Sequence, residues 1–449
     1  MPSIRKQGVF WVFVFSSVMA FSQQRMADVL KKHEIGKVWA GHPVGFAFLT
    51  QGGQQFIAYY DAERRLTVAS RELDSDAWRY QLLPSTTGWD SHNYLTMVID
   101  DDNHIHLSGN MHCVPLIYFR TTRPLDISSF EQVPAMVGSE EKRCTYPRFL
   151  RGAQNELIFA YRDGQSGSGN DIYNVYDLKT RQWRRLLDQP LTDGKGLMNA
   201  YCAGPKAGPD GYFHLCWMWR DTYKCETNHN LSYARSRDLR HWETADGQPV
   251  TLPMTLETPG LIVDPTPREF SGMINMGFTI GFDAEQRVIL SYHKYDAQGN
   301  SQIYNARREG DRWNIVQTSD WDWRWEFTGG GCVPCEVSGD AVRPTDDGFL
   351  AQGYRNREKG SGTWKLDPQT LKPVGKIAIE RDKMPADWSK VQGTFPGLQV
   401  KSVRSTADDG SDVIYLLRWE TMPVNRDRPR PEPWPEPSTL TLWEVRGKI

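Results

Sequence analysis

Short apolar runs separated by polar turns recur along the whole chain. The clearest case lies between Trp89 and Arg120, where Leu95–Ile99 and Ile105–Leu107 flank the acidic turn Asp100–Asn103. Two strands joined by so short a turn are antiparallel, so the start of the first lies beside the end of the second. The pattern therefore predicts a β-hairpin, with His92 and His112 brought to the same end of it.

The second strand of this hairpin belongs to a set of seven similar segments, each rich in aromatic and β-branched residues and preceded by turn residues. These predicted strands are Phe56–Tyr60, Ile105–Ser108, Leu157–Tyr161, Phe213–Trp217, Val288–Tyr292, Phe349–Tyr354 and Val413–Trp419. A third strand follows each, and a fourth follows most. Regularly spaced four-stranded units with little helix predict an all-β fold, namely a seven-bladed β-propeller of four-stranded antiparallel blades. A pair of β-sandwiches fits seven in-phase units poorly.

The N-terminus has the pattern of a secretory signal peptide. Two basic residues precede the apolar run Gly8–Phe21, and small residues follow it, so we interpret residues 1–22 as a signal. A buried N-terminal helix is the alternative. Residues 23–37 are interpreted as a lead-in and residues 38–449 as one catalytic propeller. No later apolar run approaches the length of a membrane span, so we expect a periplasmic or secreted protein.

Composition narrows the function. The 53 basic and 55 acidic residues give a net charge of −2, which argues against a nucleic-acid-binding protein. The chain holds 17 Trp, 18 Tyr and 18 Phe, which fill β cores and also stack on sugar faces, so a glycan ligand is favoured.

Two further sequence features predict local structure. The seven cysteines include a lone pair, Cys332 and Cys335, which we interpret as a local disulfide or two buried thiols. The Pro-rich insert Pro423–Pro437 is predicted to be an extended surface loop.

Propeller topology gathers the candidate chemistry. The loop entering the innermost strand of a blade and the loop between its second and third strands lie on one face. This rule places eight polar residues at one mouth of the central channel: His92, His112, Tyr146, Arg162, Tyr201, Arg220, His229 and His293. Glycoside hydrolysis usually needs two carboxylates, and no such pair stands out among them. β-Elimination from a uronic acid instead needs a cation to neutralise the carboxylate and a His or Tyr to move protons.

The sequence also resembles a known family. The segments that carry the resemblance are VWAGHPVGF, WDSHN, GNMH, CTYPRF, YRDG, GPDGYFHL, WMWRDT and TNHNLSYA. They are similar to those of BNR-4-type propeller enzymes: the L-rhamnose-α-1,4-D-glucuronate lyases, the propeller α-L-rhamnosidases and, more distantly, the propeller ulvan lyases. The resemblance implies that His92, His112, Tyr146 and Arg162 form the catalytic centre. Tyr201, Arg220, His229 and His293 would contact substrate. A divalent metal, calcium or zinc, is implied near the central channel, with ligands unassigned.

Three functions remain open on this basis. The first is an exo-lyase that releases terminal L-rhamnose from glucuronate on arabinogalactan-type chains and leaves a 4,5-unsaturated glucuronate. Its partner would be an acidic plant or algal polysaccharide, and we expect a monomer. The second is an α-L-rhamnosidase that uses His42, which the resemblance would put on the opposite face although the strand register puts it on the lyase face. The third is a non-catalytic glycan-binding propeller.

Overall fold

The computed structural model describes residues 25–275, 277–406 and 410–449. The predicted signal at residues 1–22 lies outside these ranges. Within them, the chain forms seven antiparallel sheets, one short helix α1 (Ala386–Ser389) and three 3₁₀ turns at Ser91–Asn93, Ile127–Ser129 and Cys225–Thr227. None of the helices in these ranges has the length and apolar character needed to cross a membrane.

The N-terminal strand and the first three sheets follow one another along the chain. The strands are β1 (Asp28–Val38); β2 (Ala47–Gln51), β3 (Gln54–Tyr60), β4 (Arg65–Glu72) and β5 (Arg79–Thr86) of the first sheet; β6 (Leu95–Ile99), β7 (Ile105–Gly109), β9 (Tyr118–Thr121) and β10 (Phe130–Gln132) of the second; and β8 (His112–Val114), β11 (Cys144–Arg151), β12 (Leu157–Asp163), β13 (Asn170–Asp177) and β14 (Gln182–Arg185) of the third. Strand β8 follows β7 in the chain, but it pairs with β11 and so belongs to the third sheet.

The remaining four sheets repeat the same meander. Their strands are β15 (Asn199–Ala207), β16 (Phe213–Arg220), β17 (Asn228–Ser236), β18 (Trp242–Glu243), β19 (Pro249–Val250) and β20 (Ile262–Asp264); β21 (Phe278–Phe282), β22 (Val288–Tyr295), β23 (Ser301–Glu309) and β24 (Arg312–Gln317); β25 (Val337–Gly339), β26 (Arg343–Pro344), β27 (Leu350–Asn356), β28 (Gly360–Leu366) and β29 (Pro373–Lys376); and β30 (Gln399–Thr406), β31 (Val413–Thr421) and β32 (Ser438–Arg446). The all-β propeller prediction is confirmed, although three sheets have more than four strands.

The two ends of the chain meet in the last sheet. Strand β1 pairs antiparallel with β32, so the sheet order is β1, β32, β31, β30. The first strands of neighbouring sheets also touch, as β30 with β2, β2 with β6, and β21 with β25. Closure of this kind leaves few exposed sheet edges. Most of the segment 23–37, which we interpreted as a lead-in, is therefore the outermost strand of the last blade.

The core lies between adjacent sheets. Buried residues from the last, first and second sheets form one cluster, and the other blade pairs form similar clusters. Because each sheet packs on both faces, its second strand is buried almost continuously, as in β16, where Trp217 and Trp219 are fully enclosed. This explains why these strands are continuous apolar runs rather than alternating ones.

All seven cysteines are free, and Cys335 is exposed, so the interpretation of Cys332 and Cys335 as a disulfide or two buried thiols is wrong.

Candidate active site

The hairpin β6–β7 positions the first two candidates. Leu95 pairs with Gly109, so the residues before β6 and after β7 lie side by side. His92 sits in the 3₁₀ turn Ser91–Asn93, whose N-terminus is capped by the Asp90 side chain. Gly109 has a φ of +156°, and a side-chain Cβ there would lie 2.4 Å from the Tyr94 carbonyl oxygen. Glycine is therefore required where the chain turns from β7 towards His112.

His92 and His112, called here the histidine pair, share one carboxylate. Their Nδ1 atoms lie 2.6 Å and 2.5 Å from the two different oxygens of Asp90. The rings stack with centroids 4.0 Å apart, and the side chains are 19 % and 30 % exposed. Asp90 orients both rings through Nδ1 and leaves the Nε2 atom of each ring out of this contact.

The shared carboxylate controls the charge of the pair. Burial alone would raise the pKa of Asp90, but hydrogen bonds from the two histidines hold it far below its ordinary value. Burial alone would lower the pKa of His112, yet Asp90 and Cys113 raise it to about 9. Asp90 is therefore an anion at neutral pH, and His112 is protonated.

Tyr146 faces the histidine pair from the third sheet. Strand β8 begins at His112 and pairs there with Thr145 of β11, and the β11–β12 register is then interrupted by a bulge at Tyr146. The residue has a φ of +58°, and its ring centroid lies 5.4 Å from that of His92. Bulges and strained residues of this kind re-aim side chains at functional sites. Burial raises the pKa of Tyr146 well above its ordinary value, so the phenol is protonated.

Arg162 lies against the opposite side of Tyr146. Its guanidinium carbon is 5.0 Å from the Tyr146 ring centroid, and its Nη2 donates to Thr145 Oγ1 at 3.0 Å and to Cys113 Sγ at 3.4 Å. The side chain is buried, and its Nε has no hydrogen-bond partner. Burial opposes the charge, but Tyr146, Tyr201 and Cys113 raise the pKa of Arg162, so the guanidinium remains cationic.

Tyr201 and Arg220 extend this cluster into the fourth sheet. The Tyr201 ring lies 6.0 Å from Tyr146, and its hydroxyl bonds to Ser166 at 2.8 Å and accepts from Arg162 at 3.4 Å. The guanidinium carbon of Arg220 lies 5.4 Å from the Tyr201 ring centroid. Burial would raise the pKa of Tyr201, but Arg220 and Arg162 lower it below its ordinary value.

His229 and His293 are placed differently from the other candidates. His229 is fully buried, and its Nε2 bonds to Asp221 at 2.9 Å. His293 lies inside strand β22 rather than after it, with Nδ1 2.9 Å from the Gly272 carbonyl. Burial lowers the pKa of His293 to about 4. No contact among the described residues links these two side chains to the histidine pair, and their role in substrate binding stays a prediction.

Sequence reasoning missed Asp427, which comes from the Pro-rich insert. Its side chain is 7 % exposed and accepts hydrogen bonds from the Ser91 backbone N–H at 3.0 Å, the Ser91 hydroxyl at 2.8 Å and the Cys332 backbone N–H at 2.8 Å. It also lies 3.6 Å from His92 Nδ1. The insert, predicted as a surface loop, thus reaches into the site. An acidic residue in a Pro-rich stretch gave no signal of this.

His42 lies close to the Asp427 carboxylate, on the buried side of the site. It precedes the innermost strand β2, as the register predicted, and its Nε2 lies 3.5 Å from Asp427 Oδ1. The side chain has no exposed surface. Burial would raise the pKa of Asp427, but His42 and Ser91 lower it to about 2. His42 therefore lies beneath the site, on the same side of the fold as the histidine pair.

Cys113 adds a thiol to the site. It lies next to His112, is partly exposed and has a φ of +57°. Burial would raise its pKa, but His112, Arg162 and Thr145 lower it to about 7. A substantial fraction of this thiol is therefore ionised at neutral pH.

The predicted divalent metal can be tested against these residues. Asp90, His92 and His112 offer three ligand atoms within 4.8 Å of one another, a donor set that suits zinc rather than the oxygen-preferring calcium. Ligands of a tetrahedral zinc are about 3.3 Å apart, given zinc–ligand bonds of about 2.0 Å. The Nδ1–oxygen separations of 2.5 and 2.6 Å are too short for that and are hydrogen bonds. Asp90 and the two Nδ1 atoms are therefore hydrogen-bonded to one another rather than arranged around a zinc ion, and the divalent metal stays a prediction.

Comparisons with known proteins agree with this architecture. A model of the family described as "BNR repeat-containing family member" matches residues 54–321. No curated protein matches the chain. Among solved structures, the polysaccharide lyase Uly1 is similar with a TM-score of 0.61 and 13 % identity over 93 % of this chain and 99 % of that one. A PL25 ulvan lyase gives 0.58 and 14 % over 93 % and 96 %, and a PL25 ulvan lyase bound to -[GlcA(1-4)Rha3S]- gives 0.58 and 13 % over the same shares. At such identities the likeness shows the fold.

Proposed function

The chain belongs to the BNR repeat-containing family, as its sequence motifs predicted, and we propose that it is a polysaccharide lyase that cleaves a glycan at a uronic acid by β-elimination. The observation that carries this proposal is the histidine pair on Asp90, with Tyr146 and Arg162 beside it. Three of the solved structures with this fold are lyases, two of them ulvan lyases, which supports the reaction class.

The protonation states favour elimination. His112, a partly exposed cation, neutralises the substrate carboxylate so that its α-proton becomes acidic, and the buried Arg162 cation adds positive charge from behind Tyr146. His92 donates through Nδ1 to Asp90, so its Nε2 is the base that removes the C5 proton. Tyr146, held as a neutral phenol, donates its proton to the departing O4. The C4–O4 bond breaks as the C4=C5 double bond forms, so the products are the departing sugar, which keeps O4, and a chain that now ends in a 4,5-unsaturated uronate.

Two-carboxylate hydrolysis is disfavoured by the same site. The carboxylates nearest to His92 are Asp90 and Asp427, and the pKa of each is lowered below its ordinary value. Neither can serve as the protonated general acid that a glycosidase needs. The rhamnosidase alternative would require His42 to reach substrate, although its side chain has no exposed surface. We therefore favour the lyase.

The substrate that we propose is a terminal L-rhamnose-α-1,4-D-glucuronate unit on an acidic, arabinogalactan-type polysaccharide. The enzyme would act from the chain end and release L-rhamnose. Export, predicted from residues 1–22, would bring the enzyme to such polymers in the periplasm or outside the cell.

One assay separates the three candidate functions. Purified protein is incubated with gum arabic, and the ultraviolet absorbance of an unsaturated uronate is followed alongside free rhamnose. Ulvan is tested in parallel because two of the similar structures are ulvan lyases. Carboxyl-reduced gum arabic is the matched control, since elimination requires the carboxylate.

The expected result is rhamnose with the chromophore from native gum arabic and neither product from the reduced polymer. Rhamnose without the chromophore would show a hydrolase. The chromophore from ulvan alone would support the lyase and replace the proposed substrate. Binding without either product from any polymer would leave a glycan-binding propeller.

A further inference from the structure

A cluster of three indoles and one arginine, called here the aromatic patch, lies next to the histidine pair. Trp89, the residue before Asp90, packs edge-on against Trp39 at 4.9 Å and against Trp434 at 5.3 Å between ring centroids. The Arg64 guanidinium lies 4.6 to 5.5 Å from all three rings. Trp434 is 38 % exposed although it is the largest type of side chain.

The patch is joined to the candidate catalytic residues by the Pro-rich insert. Trp434 and Asp427 both belong to this insert, and Asp427 accepts two hydrogen bonds from Ser91, which precedes His92. The indole N–H of Trp434 is already bonded to the Arg430 carbonyl at 2.9 Å. Its position is therefore fixed by the insert, and the part of its side chain that Arg64 and Trp89 leave exposed is what remains for a ligand.

Arg64 differs from its neighbour Arg65 in a way that points to an anion. Arg65 is paired with Asp61 and Glu63. No carboxylate or other acceptor among the described residues bonds to the Arg64 guanidinium, which keeps five N–H donors on a half-buried cation. Its backbone is held in a left-handed conformation, with φ +66°, by bonds to Asp61 and Thr87. A preformed, unpaired guanidinium beside an exposed indole suits a sugar that carries a negative group.

We propose that Arg64 and Trp434, supported by Trp39 and Trp89, form a subsite that binds an anionic sugar of the polymer beside the cleavage site. Trp434 stacks on the sugar ring, and Arg64 binds its carboxylate or sulfate. This subsite deepens the proposed function and rests on it for the identity of the polymer. The binding itself can be measured without turnover.

The test compares Arg64→Met, which keeps the packing of the side-chain stem, with Arg65→Met, which removes a cation one residue away. Both changes are made in the full-length His92→Ala protein, in which turnover is expected to be about 10²- to 10⁴-fold slower. Calorimetry gives the dissociation constants for gum arabic, carboxyl-reduced gum arabic, ulvan and desulfated ulvan. Trp434→Ala is measured as a second variant, and unfolding temperatures confirm that each protein is folded.

Arg64→Met is expected to raise the dissociation constant for a native polymer about tenfold, and Arg65→Met to leave it unchanged. If carboxyl reduction removes the difference between the Arg64→Met protein and its parent, the anion is a uronate; if desulfation removes it, the anion is a sulfate ester. Equal binding of native polymers by folded Arg64→Met and its parent would overturn the subsite. So would equal losses on native and uncharged polymers. Because turnover is not measured, failure of the subsite and failure of the lyase proposal are separate results.

Discussion

Each end of the β6–β7 hairpin holds two histidines and at least one aspartate, but the two ends differ in what their histidines leave free for a ligand. At the turn end, His106 is fully buried, and its ring nitrogens bond to Tyr118 at 2.6 Å and Asp100 at 3.0 Å. At the other end, His92 and His112 are partly exposed, and Asp90 engages only their Nδ1 atoms. A His–Asp contact is present at both ends, so it is the ring nitrogen that Asp90 leaves free, and not the contact itself, that makes His92 and His112 the candidates for chemistry.

The largest difference is expected between His92→Ala and His106→Ala. Loss of His92 removes the proposed base, so the elimination rate should fall about 10²- to 10⁴-fold while the fold is retained. Loss of His106 removes one buried hydrogen-bond partner from Tyr118 and one from Asp100, which should lower the free energy of unfolding by about 2 to 4 kcal/mol. The folded fraction of that variant should keep nearly the wild-type rate. Denaturant titrations and initial rates give both quantities, and a near wild-type rate for His92→Ala would show that the catalytic centre lies elsewhere.

The second comparison sets Asp90→Asn against Asp100→Asn. Without the Asp90 carboxylate, the pKa of His112 should fall from about 9 towards the ordinary value for histidine, and the rate should drop about 10²-fold because neither ring is oriented. The pKa of His106 is already lowered, with burial as the main cause, so Asp100→Asn should leave the pH profile above neutrality unchanged. Imidazole NMR titrations and pH–rate profiles test this pair.

Asp90→Asn should also change how the stability of the protein depends on pH. The pKa of His112 is higher in the folded state than in the unfolded chain, so its interaction with Asp90 stabilises the fold below about pH 6.5. That contribution is lost as the pH rises through about 9. The unfolding temperature of wild type should therefore exceed that of Asp90→Asn at pH 6 by more than it does at pH 10. An equal difference at both pH values would mean that Asp90 does not hold a proton on His112.

The comparison also shows what the sequence could predict. The positions of His92 and His112 follow from the local register of one hairpin, and β11–β12 likewise carries Tyr146 and Arg162 into the same cluster. Asp427 could not be found this way because 336 positions separate it from Ser91 and only closure of the ring brings them together. The strand β1, which pairs with β32, was missed for the same reason. Contacts within a blade are readable from the sequence pattern, whereas contacts between the first and last blades are not.

The smallest expected effect tests whether this distant residue matters to the chemistry. The turn end of the hairpin is held by its own residues, since Asp100 accepts from the backbone N–H groups of Asp102 and His104. The His92 turn, which Asp90 caps, is also held by the distant Asp427, and Asp427→Asn replaces one carboxylate oxygen of that residue with an amide NH2 group. We expect kcat to fall about tenfold with little change in KM, because His92 is displaced while the binding surface is kept.

Asp126→Asn is the matched control for this last substitution. Asp126 caps another 3₁₀ turn, Ile127–Ser129, by accepting from the Ser128 backbone N–H at 2.9 Å, and it lies on the surface. Loss of that cap should cost some stability and leave kcat unchanged. If Asp427→Asn lowers only the unfolding temperature, as Asp126→Asn should, the Pro-rich insert is merely a structural brace. A fall in kcat at unchanged KM would show instead that the last blade positions the base supplied by the second.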